Sequence, residues 1–375
     1  MVAVTEALPA LSPVRRRVRA AALVVALAAA GALLTAPSPR REPPPPGRAP
    51  AATVWPNAQK ADTPGNLPDG PAYQPGIFLD AGTSVGTAPS PDGRSTRLVL
   101  RGGDGSLRQL RKLPITDSPD FYNLTARGDD LVWTESTDSG GLRLWGVDLR
   151  GGAAPHQLTA ETGDAIFYGT QHDLVIEGDR VYWLAGDPSA GTQLTEVRSV
   201  PLAGGPVRVR REPGVWSLSA WPWLVTAPDD QTSATVLKSL TDGRRIAVET
   251  GGNDLTTCGP AWCRIMVMSS DGLAGIDAMH PDGTQRHRIA GPGASVAVTD
   301  AAILDRYAIL AEDEVSSAVS GSQRLLVYDL ATRRTVDVAA GATGTFSRNG
   351  VLWWSTGDQD ALTWHAIDLR TISGG

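Results

Sequence analysis

A β-hairpin that recurs seven times along the chain is the feature that most constrains the fold. Its clearest copy lies in residues 128–159, where residues 131–133 form a short apolar strand, a polar loop follows, and residues 142–149 alternate between apolar and polar side chains. Short strands rich in β-branched and aromatic residues, separated by Gly, Asp and Ser, are typical of antiparallel hairpins. One such hairpin cannot bury both of its faces, so the copies must pack on one another.

The spacing of the copies predicts how they pack. Equivalent positions are separated by 34, 50, 42, 41, 43 and 44 residues, and they are Leu98, Val132, Tyr182, Leu224, Ile265, Ala308 and Leu352. A period near 42 fits four short strands with their turns. We therefore predict an all-β fold, a β-propeller over residues 76–375, with seven four-stranded blades by hairpin count and six as the alternative. Residues 76–80 are predicted to supply the strand that completes the last blade.

The chain begins with features of export. A basic segment, residues 1–19, precedes 17 uncharged residues, 20–36, which predict a signal or transmembrane helix. Residues 37–75 contain twelve Pro and predict a disordered, Pro-rich tether. We expect a retained anchor that holds the propeller on the outer side of the cytoplasmic membrane; secretion after signal cleavage is the alternative. The formal net charge of −6 argues against a nucleic-acid partner.

The two cysteines, Cys258 and Cys263, are predicted to form a disulfide. An exported chain meets an oxidising compartment, and the intervening Gly-Pro pair lets the chain fold back. The five His residues fall at no metal-ligand spacing, so neither a metal nor another cofactor is predicted. The pattern Gly-Thr-Ser-Val-Gly at residues 82–86 matches a hydrolase nucleophile elbow, but the prolines that follow exclude the helix which that chemistry needs.

Acidic residues recur in the loop of each hairpin. If these loops emerge on one face of the ring, their carboxylates form an acidic face that attracts a basic partner or a cation. Asp is also a favourable turn residue, which is the simpler explanation. The residues of this candidate acidic face are Asp104, Asp138, Asp187, Asp229, Asp230, Asp271, Asp313 and Asp358.

Three tryptophans, Trp216, Trp221 and Trp223, cluster at the start of the fourth copy. They predict either an aromatic shelf that binds a ligand or packing between blades, and packing is the favoured explanation.

Residues 90–94, Ser-Pro-Asp-Gly-Arg, precede one apolar strand, and residues 144–159 run from an alternating strand through Gly-Gly to Leu-Thr. These stretches resemble the blade repeat of TolB-like β-propellers. The resemblance implies an exported interaction scaffold in the cell envelope, without chemistry of its own.

We therefore predict a membrane-tethered, extracytoplasmic propeller that acts as a binding scaffold without catalysis, its partner a cell-envelope protein or a small ligand. The alternative is a propeller enzyme of the lyase or glycosidase type that uses carboxylates lining the channel. That alternative requires acids and a His or Arg to converge at the pore. The sequence contains no diagnostic signature of a quinoprotein.

Overall fold

The computed structural model describes residues 48–187, 193–227, 234–251, 254–314, 321–358 and 361–372. The predicted basic segment 1–19 and the predicted helix 20–36 lie outside these ranges. Within them, no helix combines the length and the apolar character that crossing a bilayer requires.

The described strands form seven separate sheets, which confirms the predicted seven-bladed propeller. The described part begins with β1 (Ala49–Pro50), helix α1 (Ala51–Val54) and β2 (Lys60–Pro64). Blade 1 follows with β3 (Gln74–Phe78), β4 (Ser84–Pro89), β5 (Ser95–Arg101) and β6 (Leu107–Pro114), and blade 2 with β7 (Asp120–Arg127), β8 (Asp130–Thr137), β9 (Gly141–Asp148) and β10 (His156–Thr159). Blade 3 contains β11 (Asp164–Ile166), β12 (Val175–Glu177), β13 (Arg180–Gly186), β14 (Leu194–Pro201) and β15 (Arg208–Pro213).

The remaining blades follow the same pattern. Blade 4 contains β16 (Trp216–Leu218), β17 (Trp223–Thr226), β18 (Val236–Ser239) and β19 (Arg245–Ala247). Blade 5 contains β20 (Leu255–Cys258), β21 (Cys263–Ser269), β22 (Gly272–Met279) and β23 (His287–Ala290). Blade 6 contains β24 (Ala294–Val296), β25 (Tyr307–Asp313), β26 (Gln323–Asp329) and β27 (Arg334–Ala342), and blade 7 contains β28 (Gly344–Arg348), β29 (Val351–Thr356) and β30 (Thr363–Asp368). Short 3-10 turns cover Ile115–Asp117, Arg150–Gly152 and Leu369–Thr371.

The ring closes with a strand other than the predicted one. The outer strand of blade 7 is β2, which pairs antiparallel with β30 from Lys60 opposite Ile367 to Pro64 opposite Thr363. Residues 76–80, which were predicted for this role, belong instead to the first strand of blade 1 and the turn after it. The closing strand thus lies inside the predicted Pro-rich tether. Its Pro64 stands at the end of an outermost strand, where a missing N–H costs little.

Residues 48–75 are part of the folded body, so the propeller begins before the predicted boundary at residue 76. Strand β1 adds a parallel pairing to the outer edge of blade 6, with Ala49 opposite Val336. Trp55 is 5% exposed and packs edge-on against Tyr307 of the same blade. Covering an outer edge in this way removes unpaired backbone groups from solvent.

The first predicted hairpin is displaced by one strand relative to the others. Counting β11 and β12 as one interrupted inner strand, the predicted hairpins of blades 2 to 7 are the second and third strands. In blade 1 the hairpin around Asp104 is β5 and β6, the third and fourth. Connections between the second and third strands emerge on the opposite face from those between the third and fourth. This displacement explains the short step of 34 residues and places Asp104 on the other face of the ring.

The hydrophobic core is divided among the blade interfaces. Ile77 and Trp133 share one buried cluster between blades 1 and 2, and Trp183 belongs to the next, between blades 2 and 3. At the ring closure, Phe78 of blade 1 packs on Trp353 of blade 7, with ring centroids 5.4 Å apart. Because apolar burial occurs between neighbouring blades, the centre of the ring does not have to be filled for stability.

Candidate functional site

A cavity of about 740 Å³ occupies the centre of the ring. The first strands of blades 1, 4, 5, 6 and 7 contribute to its wall, together with residues 168–172 of blade 3. This volume falls in the range of small-molecule sites. Polar groups from several blades meet in it, as the predicted enzyme alternative requires.

The loop that carries the first of these groups interrupts the inner strand of blade 3. Strands β11 and β12 both pair with β13, and the eight residues between them, 167–174, leave the sheet. Gly169, with φ of +73°, adopts a left-handed conformation that suits glycine. Its carbonyl oxygen accepts a 3.4 Å hydrogen bond from the Thr299 hydroxyl of blade 6. The loop therefore reaches from blade 3 to residues of blade 6.

Asp173 fixes the conformation of this loop. Its carboxylate accepts hydrogen bonds from the Gly169 and Thr170 backbone N–H groups at 2.7 and 3.2 Å, and from the Thr170 hydroxyl at 3.0 Å. Burial of the side chain raises the pKa of Asp173, and these hydrogen bonds lower it in part. The adjacent residue, His172, is thereby held at the cavity wall.

His172 faces Asp300 of blade 6. Its Nε2 atom lies 3.6 Å from Asp300 Oδ1, and the two side chains are 26% and 8% exposed. Burial lowers the pKa of His172, which the charges of Asp300, Asp173 and Asp305 raise in part. The net lowering keeps the imidazole neutral at neutral pH, so it can accept a proton.

Arg264 of blade 5 positions the segment that carries Asp300. Its guanidinium donates hydrogen bonds to the backbone carbonyls of Val298, Thr299 and Asp300 at 3.0, 3.0 and 2.6 Å. The residue is 5% exposed, and burial lowers the pKa of Arg264 to about 10. Three carbonyl oxygens thus use most of its donors.

Arg348 of blade 7 is the second arginine of the cavity wall. Its Nη1 atom donates a 3.0 Å hydrogen bond to the Leu124 carbonyl of blade 2. Burial lowers the pKa of Arg348, although the charges of Asp173 and Asp300 raise it in part. Among the described residues, no carboxylate oxygen lies within ion-pair distance of its guanidinium, so donors remain for an anionic ligand.

The predicted disulfide between Cys258 and Cys263 is confirmed. It joins the end of β20 to the start of β21, at a turn beside the cavity. Of the described residues that the sequence singled out as site residues, only Cys258 lines the cavity. The elbow-like Ser84 lies in β4, 1% exposed, with its hydroxyl 3.0 Å from that of Tyr73.

The predicted acidic face is divided by the structure. Asp138, Asp187, Asp271, Asp313 and Asp358 lie in or beside loops between second and third strands, whereas Asp104 lies on the other face. Asp229 and Asp230 lie outside the described residues. Asp104 accepts a 2.9 Å hydrogen bond from Ser106 N, and Asp358 accepts one of 3.1 Å from Ala361 N. These contacts are the ones expected of turn-forming Asp side chains.

The three tryptophans of the predicted shelf pack in two separate blade interfaces. Trp216 is 6% exposed in the core between blades 3 and 4, and Trp221 packs against that core with its ring 4.0 Å from that of Tyr182. Trp223 packs between blades 4 and 5, beneath the Arg244 guanidinium. None of the three lines the central cavity.

Sequence reasoning missed the residues that converge at the cavity, His172, Arg264, Asp300 and Arg348. They come from four blades, and nothing in their spacing links them. One signal was present, because the 50-residue step between Val132 and Tyr182 exceeds the period by about the length of the inserted loop. Within the described residues, no group of three or more His, Cys, Asp or Glu side chains is arranged to hold a metal ion.

No family model matches this chain, and no curated protein matches it. Solved structures with a similar fold include a prolyl endopeptidase, with 15% identity and a TM-score of 0.53 over 85% of this chain and 48% of that one. A puromycin-hydrolyzing peptidase of Mycobacterium tuberculosis has 16% identity and a TM-score of 0.51, over 87% and 54%. A puromycin hydrolase has 15% identity and a TM-score of 0.50, over 87% and 56%.

This chain thus spans about half the length of these peptidases. At such identities the likeness shows the propeller fold alone. The similar structures nevertheless belong to enzymes, and this contradicts the prediction of a binding scaffold without catalysis. The comparison agrees better with the predicted alternative, a propeller enzyme.

Proposed function

We propose that the protein is an enzyme whose reaction takes place in the central cavity, with His172 as the proton acceptor. The observation that carries this proposal is the placement of a neutral imidazole and its carboxylate partner, Asp300, on the wall of a cavity of ligand size. General bases in enzymes are most often His, and a carboxylate partner orients the ring.

The tautomer follows from the geometry. Because Nε2 faces the Asp300 carboxylate, the proton of the neutral ring belongs on Nε2. The lone pair then lies on Nδ1, for which no described residue supplies a hydrogen-bond partner. Nδ1 is therefore the atom that takes a proton from substrate, and Asp300 stabilises the imidazolium that forms.

Arg348 indicates what the substrate carries. An arginine with free donors on a cavity wall recognises a carboxylate, and neutralising that carboxylate makes an adjacent C–H more acidic. We propose a lyase-type elimination. Nδ1 of His172 takes the proton, the C–H electron pair forms a carbon–carbon double bond, and a leaving group on the next carbon departs with its bonding pair. No described Ser, Thr or Cys side chain bonds the His172 ring, so covalent hydrolysis through such a nucleophile has less support.

The test is a substrate panel on the purified chain, with uronic-acid oligosaccharides, acyclic hydroxy-carboxylates and short peptides. Elimination is followed by the ultraviolet absorbance of the new double bond. We expect His172→Gln to lower kcat by about 10²–10⁴-fold. The matched control is His156→Gln on the outer strand β10, which should keep full activity. A wild-type chain inert to the whole panel, or His172→Gln at full activity, would contradict the proposal.

A peptide substrate is the second candidate. The similar structures favour it, because all three are peptidases. Release of new amino groups from the peptides of the panel, without an absorbance change from the carboxylate sugars or hydroxy-carboxylates, would select this candidate over elimination.

We also propose that the enzyme works outside the cytoplasm, tethered by residues 20–36, and that it is related to TolB-like propellers. The disulfide supports an oxidising compartment, and the repeat motifs of blades 1 and 2 support the relationship. Fractionation of cells followed by mass spectrometry of the amino terminus tests the location. A mature chain that starts near residue 37 would replace the anchor with a cleaved signal.

A further inference from the structure

The side chain of Phe346 is exposed inside the cavity. Among the described residues, five large apolar side chains are exposed, and they are Ile115, Val209, Leu255, Leu304 and Phe346. Of these, Phe346 alone lines the central cavity, where it is 42% exposed. An exposed aromatic ring inside a ligand-sized cavity is a contact surface for an apolar group.

Trp353 and Trp364 hold this ring in place. The ring of Phe346 stacks on that of Trp353, with centroids 5.8 Å apart and planes inclined by 22°. The Trp364 ring lies 6.3 Å away on the next strand, and both tryptophans are buried. Trp353 therefore covers part of the Phe346 ring, and the part that remains exposed offers the cavity a fixed aromatic surface.

Arg348 follows Phe346 by two residues on the same strand, β28. Side chains two apart in a strand project from the same face, with Cα atoms about 6.7 Å apart. A ring stacked on Phe346 could thus present a carboxylate substituent to the guanidinium. Arg264, the other arginine of the wall, is occupied by three backbone carbonyls, so Arg348 is the cation that remains for a ligand.

From this juxtaposition we infer that the cavity binds a ring that carries a carboxylate, with the flat face of the ring on Phe346 and the carboxylate on Arg348. The inference deepens the proposed function, since it names the substrate class of the same site. The inference can be tested separately from the proposed function, because binding can be measured without turnover. A sugar acid and an arene carboxylate share the recognised chemistry.

The experiment is calorimetric titration of the full chain with four probes: glucuronate, benzoate, acetate and glucose. We expect glucuronate or benzoate to bind at least tenfold more tightly than acetate, which lacks the ring, and glucose, which lacks the carboxylate. Tighter binding of glucuronate assigns the ring to a sugar, and tighter binding of benzoate assigns it to an arene. Equal affinity for acetate and the ring-bearing acids would overturn the inference.

Variants assign the two contacts. Phe346→Ala should weaken binding of the preferred ring-bearing acid about two- to tenfold and leave acetate unchanged. Arg348→Gln should weaken both carboxylates, and Arg348→Lys should restore part of the loss. The matched controls are Leu255→Ala, an exposed apolar residue on the inner strand β20, and Arg94→Gln in an outer loop; both should bind as wild type does. Unchanged affinity of Phe346→Ala would also overturn the inference.

The outcomes separate the inference from the proposed function. Binding of a ring-bearing acid through Phe346 and Arg348, with no elimination from any panel compound, supports the inference and contradicts the enzyme proposal. Elimination at equal rates from cyclic and acyclic carboxylates supports the enzyme proposal and contradicts the inference. Because Phe346 is partly exposed, Phe346→Ala is expected to fold even if the Arg348 variants do not.

Discussion

Replacing Arg264 with Met should destabilise the protein by about 3 kcal/mol. This figure is the difference between two larger, opposing effects. The guanidinium donates three hydrogen bonds to the carbonyls of residues 298–300. Hydrogen bonds from a charged donor contribute about 1.5–3 kcal/mol each. Their loss alone would therefore cost several kcal/mol.

The opposing effect is the burial of charge. Burial lowers the pKa of Arg264 from its ordinary value to about 10, which corresponds to a cost of roughly 3 kcal/mol for its charged form in the fold. Met has no such cost, and its side chain fills much of the same space. Subtracting this cost from the roughly 6 kcal/mol of the three lost hydrogen bonds leaves about 3 kcal/mol.

The measurement is urea unfolding of wild type, Arg264→Met and Arg264→Lys, with Arg150→Met as the control. Lys keeps the charge but cannot reach three carbonyls at once, so it should be no more stable than Met. Arg150 is 70% exposed in its ion pair with Asp148, and its loss should cost less than about 1 kcal/mol. An Arg264→Met variant as stable as wild type would refute the reasoning, since charge burial would then cancel the hydrogen bonds.

Three further predictions concern other parts of the ring. The lowered pKa of His172 means that, below the ordinary His value of about 6.5, the unfolded chain takes up a proton that the folded chain resists. The melting temperature should therefore fall as the pH is lowered through this acid range. His172→Gln should reduce the dependence of the melting temperature on pH, and an unchanged dependence contradicts the assignment. Replacing Cys258 and Cys263 with Ser should cost about 2 kcal/mol in urea unfolding, from loop-closure entropy, and equal midpoints would contradict this. Removing residues 1–64 should expose the edge of β30, lower the melting temperature and promote association on a sizing column; a monomer with the wild-type melting temperature would show that β2 is dispensable.

The repeat predicted the blades well, because strand and turn patterns are local. It could not number the strands within a blade, since the loop at residues 90–94 and the loop around Asp104 have the same turn chemistry. Strand β2 was missed for a related reason. Its sequence, Lys-Ala-Asp-Thr-Pro, is polar and lies in a Pro-rich segment, and only its pairing with β30, about 300 residues later, makes it a strand.

The candidate site was less predictable than the fold. His172, Arg264, Asp300 and Arg348 lie in four separate segments of the sequence, and the curvature of the ring brings them to one cavity. Their roles depend on burial and on backbone partners such as the carbonyls of residues 298–300. Side-chain type and spacing reveal neither burial nor backbone partners. The disulfide could be predicted locally, because its two cysteines are five residues apart in sequence.

The pairing of β2 with β30 sets an order of events during synthesis. The strand that closes the ring is made before any blade, yet its partner β30 follows about 300 residues later. Until then β2 has no partner strand, although β1 can already pair with blade 6, and blade 7 is incomplete. Blades 1 to 6 can form progressively, but the circle can close only after β30 has been made. A chain stalled before β30 would therefore present both unpaired edges to proteases and chaperones.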